Sequence, residues 1–167
     1  MINTTTDVAI PADARAGKYL SFTLRGESYG IPVLKIREII RFTRITPLPQ
    51  VPDFIRGVIN LRGKIIPVVD LRLRFNLGTA EVTERTCIIV AQFTRAGTGT
   101  LHLGLIVDGV DEVLNIGGED IEDTPEFGGK LETAYLFGMA KVKSRVIALV
   151  DIDRVVNGDT LATTATS

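Results

Sequence analysis

Phosphate binding is the first chemistry suggested by the segment FIRGVINLRGKIIPVVDLRLRF, residues 54–75, because Lys64 directly follows a glycine. A P-loop needs G-x-x-x-x-G-K followed by Ser or Thr, so that backbone amides surround the phosphates and the hydroxyl holds magnesium. Here the spacing from Gly57 to Gly63 is one residue too long, and Ile65 replaces the hydroxyl. The segment also leads from strand to strand, so no helix N-terminus faces an anion. Nucleotide binding is therefore not predicted.

Catalytic and metal-binding residue types are scarce. His102 and Cys87 are the only histidine and cysteine of the chain, whereas a zinc site needs several such ligands. His102 alternates with leucines in a predicted strand, which is typical of a structural histidine. Apolar neighbours should raise the pKa of the Cys87 thiol, which suits a buried thiol better than a nucleophile. The acidic residues between Asp108 and Asp123 lack the spacing of a calcium loop. We therefore expect no enzyme, no metal site and no cofactor.

Protein binding is the remaining class, and three features suit it. The segment LKIREII, residues 34–40, forms an apolar stripe edged by both charge signs. Arg62 stands beside Gly63 at a predicted turn, where it is either a solvated tip or an interface anchor whose fork hydrogen-bonds while its stem packs. Phe127 lies in the glycine-flanked segment TPEFGGKL, so its ring is either in the core or exposed as an anchor.

Strand patterns dominate the elements that must position these residues. KYLSFTLR and SYGIPV flank a turn at Gly26, and GVINL and KIIPVVDL flank the turn at Arg62–Gly63. CIIVAQF and LHLGLIVDGV flank the glycine-rich connection TRAGTGT, which predicts a third hairpin. Pro67 has no amide hydrogen and should lie at an edge or bulge. VLKIREIIR fits a short helix and a strand equally well.

Short helical turns are expected at two places, where Asp70 can cap LRLRF and Asp151 can cap IDRVVN.

These two segments also take part in an internal repeat. GIPVLKIREII from Gly30 matches GLIVDGVDEVL from Gly104, and GVINLRGKIIPVVDL from Gly57 matches GMAKVKSRVIALVDI from Gly138. Pro52-Asp53-Phe54 matches Pro125-Glu126-Phe127 between them. The repeat predicts two similar β-subdomains, each too small to bury a core alone, packed with a cleft between them.

Composition sets the class of protein. The chain has 167 residues and a net charge of −1, which argues against a generic nucleic-acid binder, and no apolar run is long enough for a membrane helix. Charge is uneven: residues 33–75 are basic, and residues 105–130 are acidic. This asymmetry gives either two solvated faces or a surface whose two halves attract different partners. Residues 1–17 and 158–167 are interpreted as flexible tails, and residues 18–157 as a single domain.

The motifs YGIPVLKIREII, P-x-FIRGVINLRGKIIPVVDLR, LIVDGVDEVL, and PEF followed by YLFGMAKV and VIALVDI resemble the CheW family of chemotaxis coupling proteins. The resemblance covers roughly Lys18 to Asn157. It implies a mainly β fold of two intertwined SH3-like five-stranded barrels, in agreement with the repeat. It also implies a cytoplasmic, non-enzymatic adaptor that joins transmembrane chemoreceptors to a CheA-type histidine kinase in arrays, without inserting into the membrane.

The resemblance further implies a groove for the helical hairpin tip of the receptor. The matching positions are Ile36, Glu38, Ile39, Val58, Arg62, Ile88 and Val107. Kinase contact would use barrel ends against the similar regulatory domain of the kinase, and Phe127 is the expected contact. Two alternatives stay open: a coupling protein of another pathway, such as twitching motility or second-messenger control, and a small β-barrel ligand-binding domain or enzyme.

Overall fold

The structure, a computed structural model, describes residues 15–95, 97, 99–124 and 135–156, without the side chains of Arg95 and Val156. Most of these residues lie in strands, as the sequence predicts. The strands are β1 (Gly17–Leu24), β2 (Glu27–Pro32), β3 (Ile36–Arg41), β4 (Ile55–Leu61), β5 (Lys64–Asp70), β6 (Cys87–Arg95), β7 (Gly99–Val107), β8 (Gly109–Ile116), β9 (Ile121–Glu122), β10 (Leu136–Val142) and β11 (Arg145–Val150). The helices are α1 (Leu71–Arg74) and α2 (Ile152–Val156), and 3-10 turns cover Val33–Lys35 and Gly118–Asp120.

The three predicted hairpins are confirmed as β1–β2, β4–β5 and β6–β7. Two of them turn through a pair of residues with positive φ, Arg25–Gly26 (53° and 84°) and Arg62–Gly63 (54° and 86°). Positive φ at both central positions matches the right-handed twist of the flanking strands. In the second turn the amide of Gly63 also donates to Asn60 Oδ1 at 2.8 Å.

The ambiguous segment 33–41 is mostly extended, because β3 pairs with β6 along its length after the 3-10 turn. The prediction for Pro67 is only partly correct. β5 is an inner strand between β4 and β7, but its pairing with β7 spans Val68–Asp70 and so begins just after the proline. Pro67 thus lies where the missing amide breaks no hydrogen bond to β7.

Both predicted caps are present. The Asp70 carboxylate accepts from the amide of Arg72 at the start of α1, and Asp151 Oδ1 accepts from the amide of Asp153 at the start of α2. Capping satisfies a backbone donor that a short helix leaves unpaired.

The internal repeat appears as an exchange of strands between two sheets. The first sheet has the order β8-β1-β2-β11-β10-β9, and the second has β3-β6-β7-β5-β4. If β1–β5 form one copy, and β6, β7, β8, β10 and β11 the other, both sheets follow one plan. In each sheet the first two strands of one copy lie side by side in the middle. The third strand of the other copy pairs on one side of them, and its fifth and fourth strands follow on the other side. The prediction of intertwined halves is therefore confirmed.

The first sheet has six strands and not the expected five. The extra strand, β9, pairs with β10 at two positions, whereas the corresponding segment of the other copy forms only the single bridge Thr46–Val58. Closure of either sheet into a barrel stays a prediction of the resemblance.

Glycine allows the two copies to cross closely. Parallel pairs join Gly30 to Leu149 and Gly104 to Val68, which are equivalent pairs in the repeat. A Cβ on Gly30 would lie 3.1 Å from the Leu149 side chain, and one on Gly104 would lie 3.3 Å from that of Val68. A larger side chain at either position would therefore make the facing side chain of the exchanged strand shift.

Three apolar clusters fill the fold. The largest, built around Phe22, Leu105 and Phe75, draws its members from both sheets. A second cluster around Tyr19 and Ile147 belongs to the first sheet, and a third around Ile59, Ile88 and Ile106 belongs to the second. All three clusters consist largely of valine, isoleucine and leucine.

One buried ion network joins the copies. The side chain of Arg72 is 1% exposed and donates through Nε and NH2 to Asp70, at 2.8 and 2.9 Å. Its NH1 donates to Asp108 Oδ1 at 2.8 Å. The pKa of the Arg72 guanidinium is raised, mainly by its hydrogen bonds to Asp70. The negative charges of Asp70 and Asp108 raise this pKa further. Arg56 also donates to Asp70, from a more exposed position.

Two predictions concern residues at or beyond the limits of the described part of the chain. β1 begins at Gly17 and the Arg15 side chain is buried, so ordered structure extends into the segment 1–17 that was interpreted as a tail. Phe127 and the C-terminal segment 158–167 lie outside the described residues.

Replacing Arg72 with leucine should lower the free energy of unfolding by about 3 kcal/mol or more, because it leaves the buried Asp70 carboxylate without its main partner. Arg56→Leu is the matched control. Its side chain is 41% exposed and makes one bond to the same carboxylate, so the loss should be about 1 kcal/mol. Urea unfolding measures both, and equal losses would contradict a structural role for the network.

Replacing Gly57 with alanine should destabilise the fold more than Gly63→Ala. A Cβ on Gly57 would lie 2.0 Å from the carbonyl oxygen of Thr46, and its φ is 141°. Gly63 has open space around it, so its substitution costs only the left-handed conformation, about 1–2 kcal/mol. The urea midpoints of the two variants are compared, and a smaller shift for Gly57→Ala would refute the close approach.

Candidate functional site

β3 carries three of the predicted groove residues, but on two faces. Exposure alternates along the strand: Ile36, Glu38 and Ile40 are half-buried, whereas Arg37, Ile39 and Arg41 are exposed. The register shifts between Ile36 and Glu38, so one extra residue faces β6 there. Ile39, 43% exposed, is therefore free to contact a partner, while the half-buried Ile36 packs against the central cluster.

Glu38 and Arg62 hold the two outer strands of the second sheet together. Both nitrogens of the Arg62 fork donate to the two oxygens of Glu38. Because β3 and β4 are opposite edges of that sheet, this contact requires the sheet to curl. The hydrogen bond from Arg62 lowers the pKa of Glu38 and raises that of Arg62, so both stay charged around neutral pH. The Arg62 side chain is still 71% exposed, which leaves most of it accessible.

Val58 is half-buried on β4, and the outer edge of this strand is covered at Val58. Its amide and carbonyl both bond to Thr46, at 2.9 Å each. The outer edge of β4 is therefore not open to a further strand at this point.

Ile88 and Val107 lie in the core. Each is 0% exposed, Ile88 in the cluster of the second sheet and Val107 in the central cluster. Their strands, β6 and β7, are inner strands of the sheet and are covered on both faces. Their side chains therefore support the strands of the site and do not form its surface.

Sequence analysis missed Ile65, which is 61% exposed at the start of β5, beside the Arg62–Gly63 turn. A signal was available, since three consecutive apolar residues in a half-buried strand must expose one. We call the exposed group on β3 and this hairpin the basic surface, which consists of Arg37, Ile39, Arg62, Lys64 and Ile65.

Two cations of the basic surface, Arg37 and Lys64, lie near the ring of His102. Its pKa is lowered by partial burial and by the charges of Lys64 and Arg37, so both cations lie near this one ring on β7. A neutral imidazole here suits the structural histidine that the sequence predicts.

The other copy has a corresponding surface in which Asp111 takes the place of Arg37, while Lys143 and Arg145 take the places of Arg62 and Lys64. Val113 and Val146 occupy the repeat positions of Ile39 and Ile65 and are 57% and 55% exposed. Glu112, the counterpart of Glu38, accepts from Arg145 NH2 at 3.1 Å. We call Asp111, Glu112, Val113, Arg145 and Val146 the acidic surface for its two carboxylates, and the exposed Lys141 and Lys143 stand beside Val146. The repeat alignment could have found it, because it transfers each predicted groove position to the second copy.

Within the described residues, no group of three or more His, Cys, Asp or Glu side chains is placed to hold a metal ion. Burial raises the pKa of the half-buried Cys87 thiol, as its apolar neighbours predict. In the same part of the chain, no helix combines the length and the apolar character that crossing a membrane requires.

Comparison with known proteins assigns the family. The model of the CheW-like domain matches residues 18–159. The chain is 40% identical over 145 residues to the chemotaxis protein CheW of Klebsiella aerogenes, covering 87% of this chain and 84% of that protein. It is 31% identical over 144 residues to the protein FrzA of Myxococcus xanthus, covering 86% of each.

A solved structure agrees with these matches. The scaffolding protein TtCheW of Thermoanaerobacter tengcongensis superposes with a TM-score of 0.77 at 34% identity, covering 87% of this chain and 95% of that one. The mainly β fold, the exchanged copies and the sequence matches lead to one conclusion: the chain belongs to the CheW family.

Proposed function

We propose that this protein is a non-enzymatic adaptor that couples chemoreceptors to a CheA-type histidine kinase. The chain belongs to a family of chemotaxis scaffold proteins, which work by binding and not by catalysis. The observation that carries the finer proposal is the pair of corresponding surfaces, since an adaptor must bind two partners at once. Each surface combines exposed aliphatic side chains with an ion pair, and the two differ in charge.

The basic surface is assigned to the receptor. Ile39 and Ile65 provide apolar contact, and the accessible part of Arg62 can pair with an acidic residue of the receptor. An amphipathic helical tip meets such a surface by placing its apolar stripe against the isoleucines and its polar edge against the cations. The site is supported by three half-buried residues, Ile36, Glu38 and Val58. Its strands are held in place by two core residues, Ile88 and Val107.

The acidic surface is assigned to the kinase. Val113 and Val146 offer a second apolar contact, and the carboxylates of Asp111 and Glu112 beside Val113 can pair with cations of the kinase. Phe127 remains part of this proposal, as an anchor contributed by the segment that precedes β10 in the chain. Recruitment of the protein to receptor arrays at the membrane follows if both contacts form together, and many weak contacts in an array then add up.

A coupling protein of a different chemosensory pathway is the second candidate. The similarity to FrzA, a family member with a different name, supports it. The same two surfaces would serve in either pathway, so the choice depends on which receptor binds.

Replacing Arg62 with alanine should weaken receptor binding about tenfold, the size of a moderate hot-spot loss. Co-sedimentation with receptor-bearing membranes, without kinase, measures it. Arg145→Ala is the control, because Arg145 pairs with Glu112, the counterpart of Glu38, on the other surface and should leave this binding unchanged.

The double variant Glu38→Arg with Arg62→Glu separates two roles of Arg62. It keeps an ion pair across β3 and the hairpin but reverses the charge offered to the receptor. Binding should therefore stay lost. Full recovery would mean that Arg62 acts only by holding Glu38, and unchanged binding of a folded Arg62→Ala would remove Arg62 from the site.

Ile39→Lys and Val113→Lys should have opposite consequences, because they occupy corresponding positions on the two surfaces. Ile39→Lys should weaken receptor binding and spare binding of the kinase regulatory domain, and Val113→Lys should do the reverse. Each loss should be about tenfold, from burying a charge at an apolar contact. Titration of each partner by calorimetry measures it, and equal effects on both partners would rule out separate surfaces.

A further inference from the structure

A pocket of about 510 Å³ opens on the first sheet, apart from the residues of both partner surfaces. It is formed by the start of β1, the 3-10 turn after β2, and the end of β11 with the start of α2. Tyr19, Val33, Phe137 and Ile152 give it apolar walls, and Arg15 and Asp153 contribute polar groups. The Tyr19 and Phe137 rings stack with centroids 6.2 Å apart, which fixes one wall.

The repeat explains why this space is open. In the other copy the corresponding elements are joined by Arg72, whose buried guanidinium lies between Asp70 and Asp108. Here Asp151 matches Asp70, but Asp153 stands in the place of Arg72, and Leu34 in the place of Asp108. The cation and one of its carboxylates are thus missing.

Leu34 does not fill the gap, since it is 86% exposed at the rim of the pocket. The nearest substitute for the missing network is a long ion pair between Lys35 and Asp153, at 3.8 Å. Such a partly exposed pair holds the two elements together only weakly.

Two of the residues that line this pocket each have a buried polar atom without a hydrogen-bond partner among the described residues. One is Arg15 Nε, a donor, on a side chain that is 9% exposed and whose NH1 already bonds to Asp123 and to the Phe137 carbonyl. The other is Asp153 Oδ1, an acceptor. Unpaired buried groups are costly, so they favour a ligand that satisfies them.

We propose that this pocket binds an extended peptide segment of a partner protein, with one large apolar side chain inserted between Tyr19, Val33 and Ile152. A donor and an acceptor left unpaired in one apolar pocket match the two groups that a peptide backbone offers. The carbonyl of the segment accepts from Arg15 Nε, and an amide donates to Asp153 Oδ1. The volume is within the range of sites for small ligands and is ample for one side chain with its flanking peptide groups.

The probe for this proposal is N-acetyl-phenylalanine N-methylamide, which carries one apolar side chain between two peptide groups. Titration of the full-length ¹⁵N-labelled protein should give saturable shifts of the amides of Gly17, Lys18 and Leu34. N-acetyl-glycine N-methylamide, which lacks the side chain, should give none. Free phenylalanine, which has charged ends in place of peptide groups, should bind more weakly than the capped residue.

Asp153→Leu should weaken binding of the capped phenylalanine about fivefold, the effect of one hydrogen bond. Asp53→Leu is the matched control, because Asp53 is exposed and lies outside the pocket. Tighter binding of free phenylalanine would overturn the proposal in favour of a small-molecule site. Absence of shifts at the pocket in wild type would overturn it without any variant. Neither result bears on the two partner surfaces, since no receptor or kinase takes part.

Discussion

Neither half of this chain can bury a core alone, because each sheet is completed by strands of the other half. The parallel pairs at Gly30–Leu149 and Gly104–Val68 are where the copies interlock. These contacts join residues distant in sequence, so loop-closure entropy must be overcome before the sheets form. We therefore expect the two sheets to unfold together as one cooperative unit, and this unit holds both partner surfaces in fixed relation.

The exchange also places the partner surfaces on outer elements. β3 and the β4–β5 hairpin lie at the edges of the second sheet, and β8 and the β10–β11 hairpin lie towards the edges of the first. Inner strands such as β6 and β7 are buried on both faces and supply rigidity. A surface that is already formed before binding costs little ordering entropy, which suits modest contacts that must add up across an assembly.

Differences between the copies matter as much as their likeness. One copy is locked by the buried Arg72 network, and the other has an open pocket where Asp153 replaces the arginine. One presents Arg37 near its exposed Ile39, and the other presents Asp111 and Glu112 beside its exposed Val113. Duplication followed by changes of this kind yields distinct surfaces on one framework without altering the strand plan.

Sequence patterns were sufficient for features that depend on local rules. Alternation and turn glycines predicted the hairpins, Asp70 and Asp151 predicted the caps, and the repeat predicted two similar packed halves, whereas their intertwining was implied by the family resemblance. They were insufficient where burial depends on tertiary neighbours. Ile88 and Val107 read as groove residues because their positions match a family motif, but a strand covered on both faces shows no alternation that would have marked them as core.

Arg15 is a charged residue whose burial likewise could not be predicted from its sequence neighbours. Its neighbours in sequence are mostly small, which is typical of a tail, but its side chain is buried and donates to Asp123 and to the Phe137 carbonyl, more than a hundred residues away. Nothing local records such a contact. The pocket beside it is likewise invisible in either copy alone and becomes apparent when Asp153 is compared with Arg72. In a duplicated fold, one copy thus provides the reference by which a missing interaction in the other can be recognised.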